Sequence, residues 1–204
     1  QQKIPIFLIA ATFRSGQPFF QPFGNLHRQM LTFFHTIFTQ RKQDTLLLQS
    51  LHKTIKLPVI QTIGDPRTDR VLAIQHEKVV LPIIEQFTAD NPPIFICGST
   101  WQTDETVLIP FLNNSLPANY KVIIAPHEIS DAAIKRWEND TQATSIRYSE
   151  ATIKTVTQSR ILIMNNIGYL SKIYRYGTVA YVGGGFGDGI HNILEPAAAG
   201  LPVL

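Results

Sequence analysis

The chain has 204 residues and a formal net charge of +3, with 44% hydrophobic and 16% charged residues. This composition is typical of a globular protein with room for one full domain or parts of two. The small net charge and the lack of any basic run argue against a nucleic-acid partner. The longest uncharged apolar run, residues 4–13, is too short for a transmembrane helix, and no signal peptide opens the chain.

The single cysteine, Cys97, ends an apolar run and has no partner for an internal disulfide. We therefore expect a buried thiol in a reducing compartment, and hence a cytoplasmic location. The first residue is Gln1 rather than Met, and residues 201–204 have the pattern of a buried strand cut off as it begins. These ends predict a segment of a longer polypeptide.

Short β-rich apolar runs alternate with helical patterns along the chain. In chain order, strands are predicted at residues 5–10, 35–39, 59–62, 94–97, 121–125, 145–148, 160–164 and 178–182. Helices are predicted at residues 25–34, 43–52, 75–87, 104–111, 131–139, 168–176 and 191–199. This alternation is typical of βαβ units and predicts an α/β fold with parallel sheets. A domain junction is expected at residues 64–70.

Polar residues follow four of the predicted strands. Ligands bind beyond the carboxyl ends of strands in open α/β sheets, so we expect these turns to share one edge. Ordinary roles stay open for each: helix capping for Ser99 and Thr100, packing for Trp101, a loop position for His127 and a solvated carboxylate for Glu128. The four turns are Gly98-Ser99-Thr100-Trp101-Gln102-Thr103-Asp104-Glu105, Pro126-His127-Glu128, Asn165-Asn166-Ile167-Gly168 and a glycine-rich loop after Val182.

The glycine-rich loop has five glycines in seven positions, at 183, 184, 185, 187 and 189. Bare backbone permits close approach of a ligand, and unpaired N–H groups before a helix favour an anion such as phosphate. The loop matches neither the Gly-x-Gly-x-x-Gly fingerprint nor a P-loop, which weakens the dinucleotide and ATP interpretations. A phosphate-bearing ligand is the first hypothesis.

The segment after this loop, His191-Asn192-x-x-Glu195-Pro196, places an imidazole, an amide and a carboxylate at the start of a predicted helix. Asn192 and Glu195 share one helix face at i and i+3, and the carboxylate could accept both hydroxyls of a ribose. The alternative is structural, with Asn192 capping the helix and Glu195 completing a capping box.

Metal and nucleophile motifs are absent from the sequence, which has no His-Glu-x-x-His, paired cysteines, Asp-x-Asp or Gly-x-Ser-x-Gly. If the ligand is a nucleotide sugar, its leaving phosphate is expected to be neutralised by backbone amides, a helix dipole and cationic side chains. Arg14 and Arg67 are the candidate cations.

Five motifs, in order and spread over essentially the whole chain, together resemble one family. It is the 3-deoxy-D-manno-octulosonic acid (Kdo) transferases of lipopolysaccharide synthesis, in a form like that of Bacteroidetes-type bacteria. The motifs are Gly64-Asp65-Pro66-Arg67-Thr68-Asp69-Arg70-Val71, Gly98-Ser99-Thr100-Trp101 with Asp104-Glu105, Ala125-Pro126-His127-Glu128-Ile129, Asn166-Ile167-Gly168 and the stretch from Gly183 to Pro196.

The resemblance implies a GT-B glycosyltransferase with two Rossmann-like domains, both incomplete in this chain. Residues 1–65 would be the later part of the acceptor-binding domain, and residues 66–204 most of the CMP-Kdo-binding domain. The implied reaction moves Kdo from CMP-Kdo to a lipid A precursor with inversion and without metal or other cofactor. The implied location is the cytoplasmic face of the inner membrane, with peripheral attachment.

The resemblance also implies roles for individual residues. The CMP-binding set comprises Gly98, Ser99, Pro126, His127, Ile167, Gly168, Tyr169, Gly184, Gly185, Phe186, His191, Asn192, Ile193, Leu194 and Glu195. Arg14 and Arg67 correspond to cations that stabilise the departing phosphate. The family's catalytic glutamate has no match in residues 1–20, so the general base is expected upstream and this chain alone is expected to be inactive. Pro66 and Thr68 depart from the Thr and Phe more usual in that motif.

An apolar surface with a basic edge is a further hypothesis, for contact with the membrane and an acidic acceptor. The alternative is that most of these phenylalanines pack in the core. The residues concerned are Phe19, Phe20, Phe23, Phe33 and Phe34 with Arg28, Arg41 and Lys42.

Three other functions stay open. Another GT-B enzyme, such as a different glycosyltransferase or a nucleotide-sugar epimerase, would share the sheet edge. A non-catalytic module would bind CMP without turnover. A dehydrogenase is disfavoured by the failed dinucleotide fingerprint.

Overall fold

Two parallel sheets carry the fold in this computed structural model, which describes residues 4–77, 79–187 and 189–204. The chain divides into two units, residues 1–70 and residues 71–204. The predicted α/β class with parallel sheets is confirmed. The roles assigned to the two domains stay predictions.

The first unit contains a three-stranded sheet in the order β1 (Phe7–Ala11), β2 (Thr36–Thr39) and β3 (Val59–Thr62). Its helices are α1 (Asn25–Leu31) and α2 (Lys42–Gln49), with 3₁₀ turns at Pro18–Phe20 and Ser50–Lys53. Leu31, Ile37 and Leu48 are buried between sheet and helices. The central strand β2 is buried along most of its length, which is consistent with its prediction as a strand from the sequence.

A buried carboxylate braces the turn after β1. Asp44 in α2 accepts a hydrogen bond from the Phe13 backbone N–H at 2.9 Å, and Arg41 donates two more from Nε and Nη2 at 2.9 Å each. The hydrogen bonds from Arg41 lower the pKa of the Asp44 carboxyl. The charge of Asp44 is therefore compensated where it is buried, and α2 is tied to the carboxyl end of β1.

The second unit contains five parallel strands in the order β6-β7-β5-β4-β8. The strands are β4 (Ile94–Thr100), β5 (Lys121–Pro126), β6 (Ser145–Arg147), β7 (Ile161–Ile163) and β8 (Val179–Val182). Helices are α3 (Pro66–His76), which contains the division at residue 70, then α4 (Pro82–Phe87), α5 (Gln102–Asn114), α6 (Asp131–Asp140), α7 (Ile153–Val156), α8 (Leu170–Ile173) and α9 (Leu194–Ala198). Further 3₁₀ turns lie at Tyr148–Glu150 and Tyr174–Tyr176.

The central strands of this second sheet are buried on both faces, and alternate residues of these strands contribute to different cores. In β4, Ile94 and Ile96 join one cluster, which includes Phe87 and Tyr174. Phe95 and Cys97 join the other, which includes Trp137. This is the expected consequence of the two-residue period of a strand covered on both sides. Burial also raises the pKa of the Cys97 thiol, so the expected buried thiol is confirmed.

All eight predicted strands form, with ends shifted by no more than three residues. One helix prediction was wrong, and the start of another was placed three residues too early. The continuous helix at 75–87, which includes Lys78 outside the described residues, is instead the end of α3 and a separate α4 that begins at Pro82. Proline lacks the N–H needed inside a helix and disfavours helical backbone in the preceding residue, so it starts a new helix. Residues 64–70 were predicted as a domain junction, and α3 begins within them, at Pro66.

The helix predicted at residues 191–199 forms as α9, but it begins only at Leu194. His191 N–H donates instead to Gly183 O at 3.1 Å, and Asn192 Oδ1 accepts the Leu194 N–H at 3.1 Å. At the chain end, Val203 forms an isolated parallel bridge with Ala180. The side chains at 201–204 are half-buried or exposed rather than buried.

The phenylalanines of the first unit divide into two groups. Phe19, Phe20 and Phe34 pack against the core cluster around Phe13, which confirms the core interpretation for these three. Phe23 and Phe33 are 79% and 72% exposed. Within the described ranges, no helix is both long and apolar enough to cross a membrane.

We predict that Asp44→Asn lowers the free energy of unfolding at pH 7 by about 1–3 kcal/mol, because the substitution leaves buried donors poorly matched. The folded pKa lies below the ordinary 3.8, so the stabilisation is present above that pH and is lost as pH falls through the folded pKa. The wild-type advantage should therefore shrink as the pH falls below 3.8. Urea unfolding across this range measures it.

Lys135→Gln is the control for this experiment, since Lys135 and Asp131 form an exposed ion pair. Exposed pairs contribute little to stability, so this variant should unfold like the wild type. Equal effects of the two substitutions would contradict the bracing role of Asp44.

Candidate functional site

The candidate site lies at the carboxyl edge of the second sheet. There, β4 has β5 on one side and β8 on the other. The chain leaves β4 toward β5 and returns to the opposite side of β4 only with β8, which makes this a switch point of the topology. Loops diverge at such a point and open a crevice for ligands.

Two adjoining cavities open at this edge, with volumes of about 290 and 160 Å³. Together they fall within the roughly 300–1,000 Å³ typical of small-molecule sites. They share Ser99, Gly168 and Leu170. The larger cavity is also lined by Ser171, Tyr174, His191, Asn192 and Glu195, and the smaller one by Ala125, Pro126, His127, Ile129, Met164, Asn166, Ile167 and Tyr169.

Glu195 supplies the carboxylate of the larger cavity. Asn192 Nδ2 donates to Glu195 Oε1 at 3.2 Å, so the two side chains lie together as predicted, although Asn192 precedes α9 and is not on its face. Burial raises the pKa of Glu195, and the hydrogen bond from Asn192 opposes this rise. The capping box that was the structural alternative does not form, because Glu195 accepts from the side chain of Asn192 and Asn192 precedes the Ile193 N-cap. Glu195 therefore faces a ligand cavity with acceptor capacity to spare.

Tyr174 forms part of the cavity wall, and the sequence analysis did not single it out. A Cβ at Gly98 would lie 2.1 Å from Tyr174 Oη, so only glycine leaves room for this phenol beside β4. Burial raises the pKa of Tyr174, and the charge of Glu195 adds to the rise. Tyr174 thus keeps its hydroxyl proton. In the sequence, Gly98 was interpreted only as part of a turn, whereas it could have indicated that a large side chain packs against β4 at this position.

Asp104 connects the turn after β4 to the glycine-rich loop. Its carboxylate is buried and accepts three hydrogen bonds. Tyr181 Oη donates at 2.7 Å, the Trp101 N–H at 2.8 Å and the Gly184 N–H at 3.0 Å. The Gly184 N–H therefore holds the loop against Asp104 and is not directed at a ligand.

Two further loop amides also donate to backbone carbonyls of the protein. The Gly183 N–H donates to Gly98 O at 2.9 Å, and the Gly187 N–H donates to Gly184 O at 3.2 Å. The hypothesis that the loop amides and a following helix cradle phosphate is corrected in part. Three of these amides are already used, and α9 begins three residues later than predicted. Asp188, within the same loop, lies outside the described residues.

Three aromatic rings from three turns form a stack, in which His191 lines the larger cavity and His127 the smaller one. The rings of Trp101 and His191 are within 10° of coplanar, and Trp101 Nε1 donates to His191 Nε2 at 2.6 Å. His127 stacks on both, with centroid distances of 4.0 Å to Trp101 and 4.6 Å to His191. His127 and His191, predicted from separate motifs, therefore come together, and Trp101 does more than fill space.

The remaining predicted residues fall into three groups. Gly98, Gly184, Gly185, Phe186, Ile193 and Leu194 do not line either cavity. Ser99 and Thr100 do not cap α5, since its N-cap is Trp101, and Ser99 instead lines both cavities with a φ of +53°. Arg14 and Arg67 belong to the first unit.

Arg14 lies in the turn after β1, and its side chain is exposed. Arg67, in the first turn of α3, is held by Asp65, whose Oδ2 accepts from Nη2 at 2.7 Å and from Nε at 3.0 Å. This hydrogen bonding lowers the pKa of Asp65. Over residues 4–77, 79–187 and 189–204, no three His, Cys, Asp or Glu side chains are grouped so as to hold a metal ion.

Comparison with known proteins finds relatives over part of the chain. It is 32% identical over 122 residues to the 3-deoxy-D-manno-octulosonic acid transferase of Chlamydophila psittaci, covering 57% of this chain and 27% of that protein. It is 26% identical over 134 residues to the transferase of the same name from Rickettsia prowazekii, covering 62% and 27%. A bifunctional glycosyltransferase/methyltransferase of Fusobacterium nucleatum is 28% identical over 106 residues, covering 50% and 16%.

This chain thus spans about a quarter or less of the length of these curated relatives. No protein-family model matches it. Among solved structures, the C-terminal CMP-Kdo binding domain of WaaA from Acinetobacter baumannii is 21% identical with a TM-score of 0.48, covering 68% of this chain and 69% of that one.

We predict that Gly184→Ala lowers the free energy of unfolding by about 1–3 kcal/mol, because Gly184 has a φ of +96° and an added Cβ would lie 2.4 Å from Gly189 O. Gly185→Ala is the matched control, since nothing lies within 4 Å of its Cβ position. This variant should be neutral or stabilised by up to about 1 kcal/mol. Urea unfolding of both measures the difference, and similar values would contradict the loop geometry.

Proposed function

We propose, on the premise that this chain is a sequence relative of the Kdo transferases, that it is part of a glycosyltransferase that uses CMP-Kdo as donor. The observation that carries this proposal is the pair of adjoining cavities at the switch point. They are lined by residues from all four strand-end motifs behind the resemblance. A family resemblance spread over the sequence thus converges on one place that can hold a nucleotide.

Within this site, we assign the larger cavity to ribose and phosphate and the smaller one to the base. Glu195 accepts hydroxyl hydrogen bonds from the ribose, because its carboxylate faces the cavity beside the protonated Tyr174. Residues 126–127 and 167–169 form the walls of the smaller cavity and pack against the cytosine ring.

For the reaction, an acceptor hydroxyl of a lipid A precursor attacks the anomeric carbon of Kdo. Its proton passes to a general base, and the bond to the phosphate oxygen breaks to release CMP with inversion. The base is proposed to lie outside these 204 residues, so the chain alone would bind donor without transfer. Arg14 and Arg67 are proposed to stabilise the leaving phosphate, with Arg67 exchanging Asp65 for the ligand. The proposed reaction requires no metal or other cofactor.

The proposed domains are residues 1–65 for the acceptor and 66–204 for the donor, in a GT-B arrangement. Peripheral attachment to the cytoplasmic face of the inner membrane is proposed from an exposed apolar stripe on α1 and the turns that flank it, which we call the α1 stripe. Phe23, Leu26, Met30 and Phe33 are spaced three and four residues apart and are 52–79% exposed. That spacing places Leu26 and Met30 on one face of α1, and Phe23 and Phe33 lie in the turns at its two ends.

The basic edge of this stripe is narrower than the sequence suggested. Arg28 donates from Nε to Phe19 O at 2.9 Å and also to Gln21 O, so it holds the preceding turn. Arg41 is engaged by Asp44. Lys42, the third basic residue of this hypothesis, is exposed and remains the candidate for contact with anionic lipid.

Another glycosyltransferase with a different nucleotide is the second candidate, favoured by the match to the Fusobacterium nucleatum protein. Nucleotide preference separates the two candidates, because a CMP-dependent site should discriminate against the uracil base.

We predict that calorimetric titration of the chain shows binding of CMP in preference to UMP and NAD. Glu195→Gln should lower CMP affinity about ten- to a hundredfold, because a charged hydrogen-bonding group is worth roughly 1.5–3 kcal/mol. Glu150→Gln, at an exposed carboxylate away from both cavities, is the control and should bind normally. An effect of Glu195→Gln within twofold would refute the ribose assignment, and preference for UMP would favour the second candidate.

For the membrane surface, we predict that the chain co-sediments with vesicles containing anionic lipid. The double variant Phe23→Ser/Phe33→Ser should lose at least tenfold in partitioning, because two exposed rings no longer insert. Ile153→Ser removes a similarly exposed apolar side chain from α7 and should sediment like the wild type. Equal loss in both variants, or none in either, would reject the α1 stripe as the contact.

A further inference from the structure

The bond between Trp101 and His191 determines which nitrogen of His191 carries a proton. The indole Nε1–H is a donor only, and it lies 2.6 Å from His191 Nε2. His191 Nε2 must therefore be the acceptor, and the proton of the neutral ring sits on Nδ1. Protonating both nitrogens would place two N–H groups against each other, which breaks this bond.

The rest of the stack fixes the plane and position of the His191 ring. His127 lies across Trp101 and His191 at interplanar angles of 23° and 21°. Each of the other two rings is also anchored through its backbone. The Trp101 N–H donates to Asp104 Oδ2 at 2.8 Å, and the His191 N–H donates to Gly183 O at 3.1 Å.

The Nδ1 edge of His191 is the one left for a ligand. Nε2 is taken by Trp101, and Cδ2 lies 3.1 Å from the position that a Cβ would occupy at Gly184. His191 lines the 290 Å³ cavity together with Asn192 and Glu195. The Gly184 N–H is directed to Asp104 and does not donate into this cavity, which leaves His191 as a side-chain donor there.

We propose that Trp101 is a positioning residue that holds His191 as an Nδ1–H donor to an anionic oxygen of the ligand in this cavity. The inference rests on the proposed function, in which that oxygen belongs to the phosphate of CMP. His191 then acts through a directed hydrogen bond from a neutral ring. Trp101 supplies the orientation and does not itself contact the ligand.

The test uses Trp101→Phe, which keeps an aromatic ring beside His127 and removes the N–H donor. Long-range ¹H–¹⁵N NMR of the whole chain reports the tautomer, with the His191 signals assigned by their loss in His191→Gln. We expect the Nδ1–H tautomer in the wild type and a shift toward Nε2–H in Trp101→Phe. Gln102→Ala, an exposed neighbour of Trp101, should keep the wild-type tautomer.

Binding of CMP and of cytidine by the same variants locates the contact. Trp101→Phe should lower affinity for CMP about three- to tenfold and leave cytidine within twofold, because only CMP has the phosphate. Loss of both in equal measure would mean a structural role for Trp101 and overturn the proposal. So would an Nε2–H or doubly protonated His191 in the wild type, or an unchanged tautomer in Trp101→Phe.

Failure of the proposed function gives a different pattern. If the wild-type chain carries the Nδ1–H tautomer but binds neither CMP nor cytidine, the donor-site assignment is wrong, and the ligand part of this inference is overturned with it. If CMP binds normally and the tautomer is Nε2–H, the inference alone fails.

Discussion

The buried carboxylate of Asp104 is the constraint on which the site edge depends. It receives hydrogen bonds from three segments: the turn after β4, the side chain of Tyr181 in β8 and the glycine-rich loop. A buried carboxylate is costly unless its acceptor sites are filled, so displacement of any one segment is opposed by the cost of the unmatched charge. Asp104 thereby holds β4 and β8 together in addition to the backbone hydrogen bonds between these two strands.

Glu105, the next residue of α5, forms a similar anchor to the neighbouring helix α6. Glu105 accepts from Arg136 Nε at 2.7 Å and from Nη2 at 3.0 Å, which ties α5 to α6. Consecutive acidic residues in the first turn thus anchor that turn in two directions. Because acidic residues also suit the N-terminus of a helix, the same two positions favour helix start and tertiary anchoring. This anchored turn carries Trp101 of the aromatic stack and directly follows Ser99 and Thr100, of which Ser99 lines both cavities.

Close packing beneath the cavities has a similar effect on their shape. Gly98 leaves space for Tyr174, and the backbone passes into a left-handed conformation at Ser99. Non-glycine residues in that region are strained and persist only where surrounding structure holds them. Ser99 lines both cavities, so the strain sits where a ligand would bind.

The strands were predictable because both sheets are parallel and their apolar runs are bounded by turn residues. In the second sheet, burial on both faces makes the central strands continuous apolar runs, as in residues 94–97. The helix errors have local causes that pattern reading underweighted. Asp65 and Pro66 open α3 where a junction was expected, and side-chain hydrogen bonding of Asn192 delays α9.

For the site, the sequence identified His127, His191, Asn192 and Glu195 through local motifs, and the structure brings all four to one edge. It did not reveal Tyr174, or the pairing of Trp101 with His191 across 90 residues and of Asp104 with Gly184 across 80. Local composition and periodicity determine which segments become strands, helices and turns. Which turns meet depends on β8 lying beside β4, and that choice is made by packing of the whole sheet, which no local pattern contains.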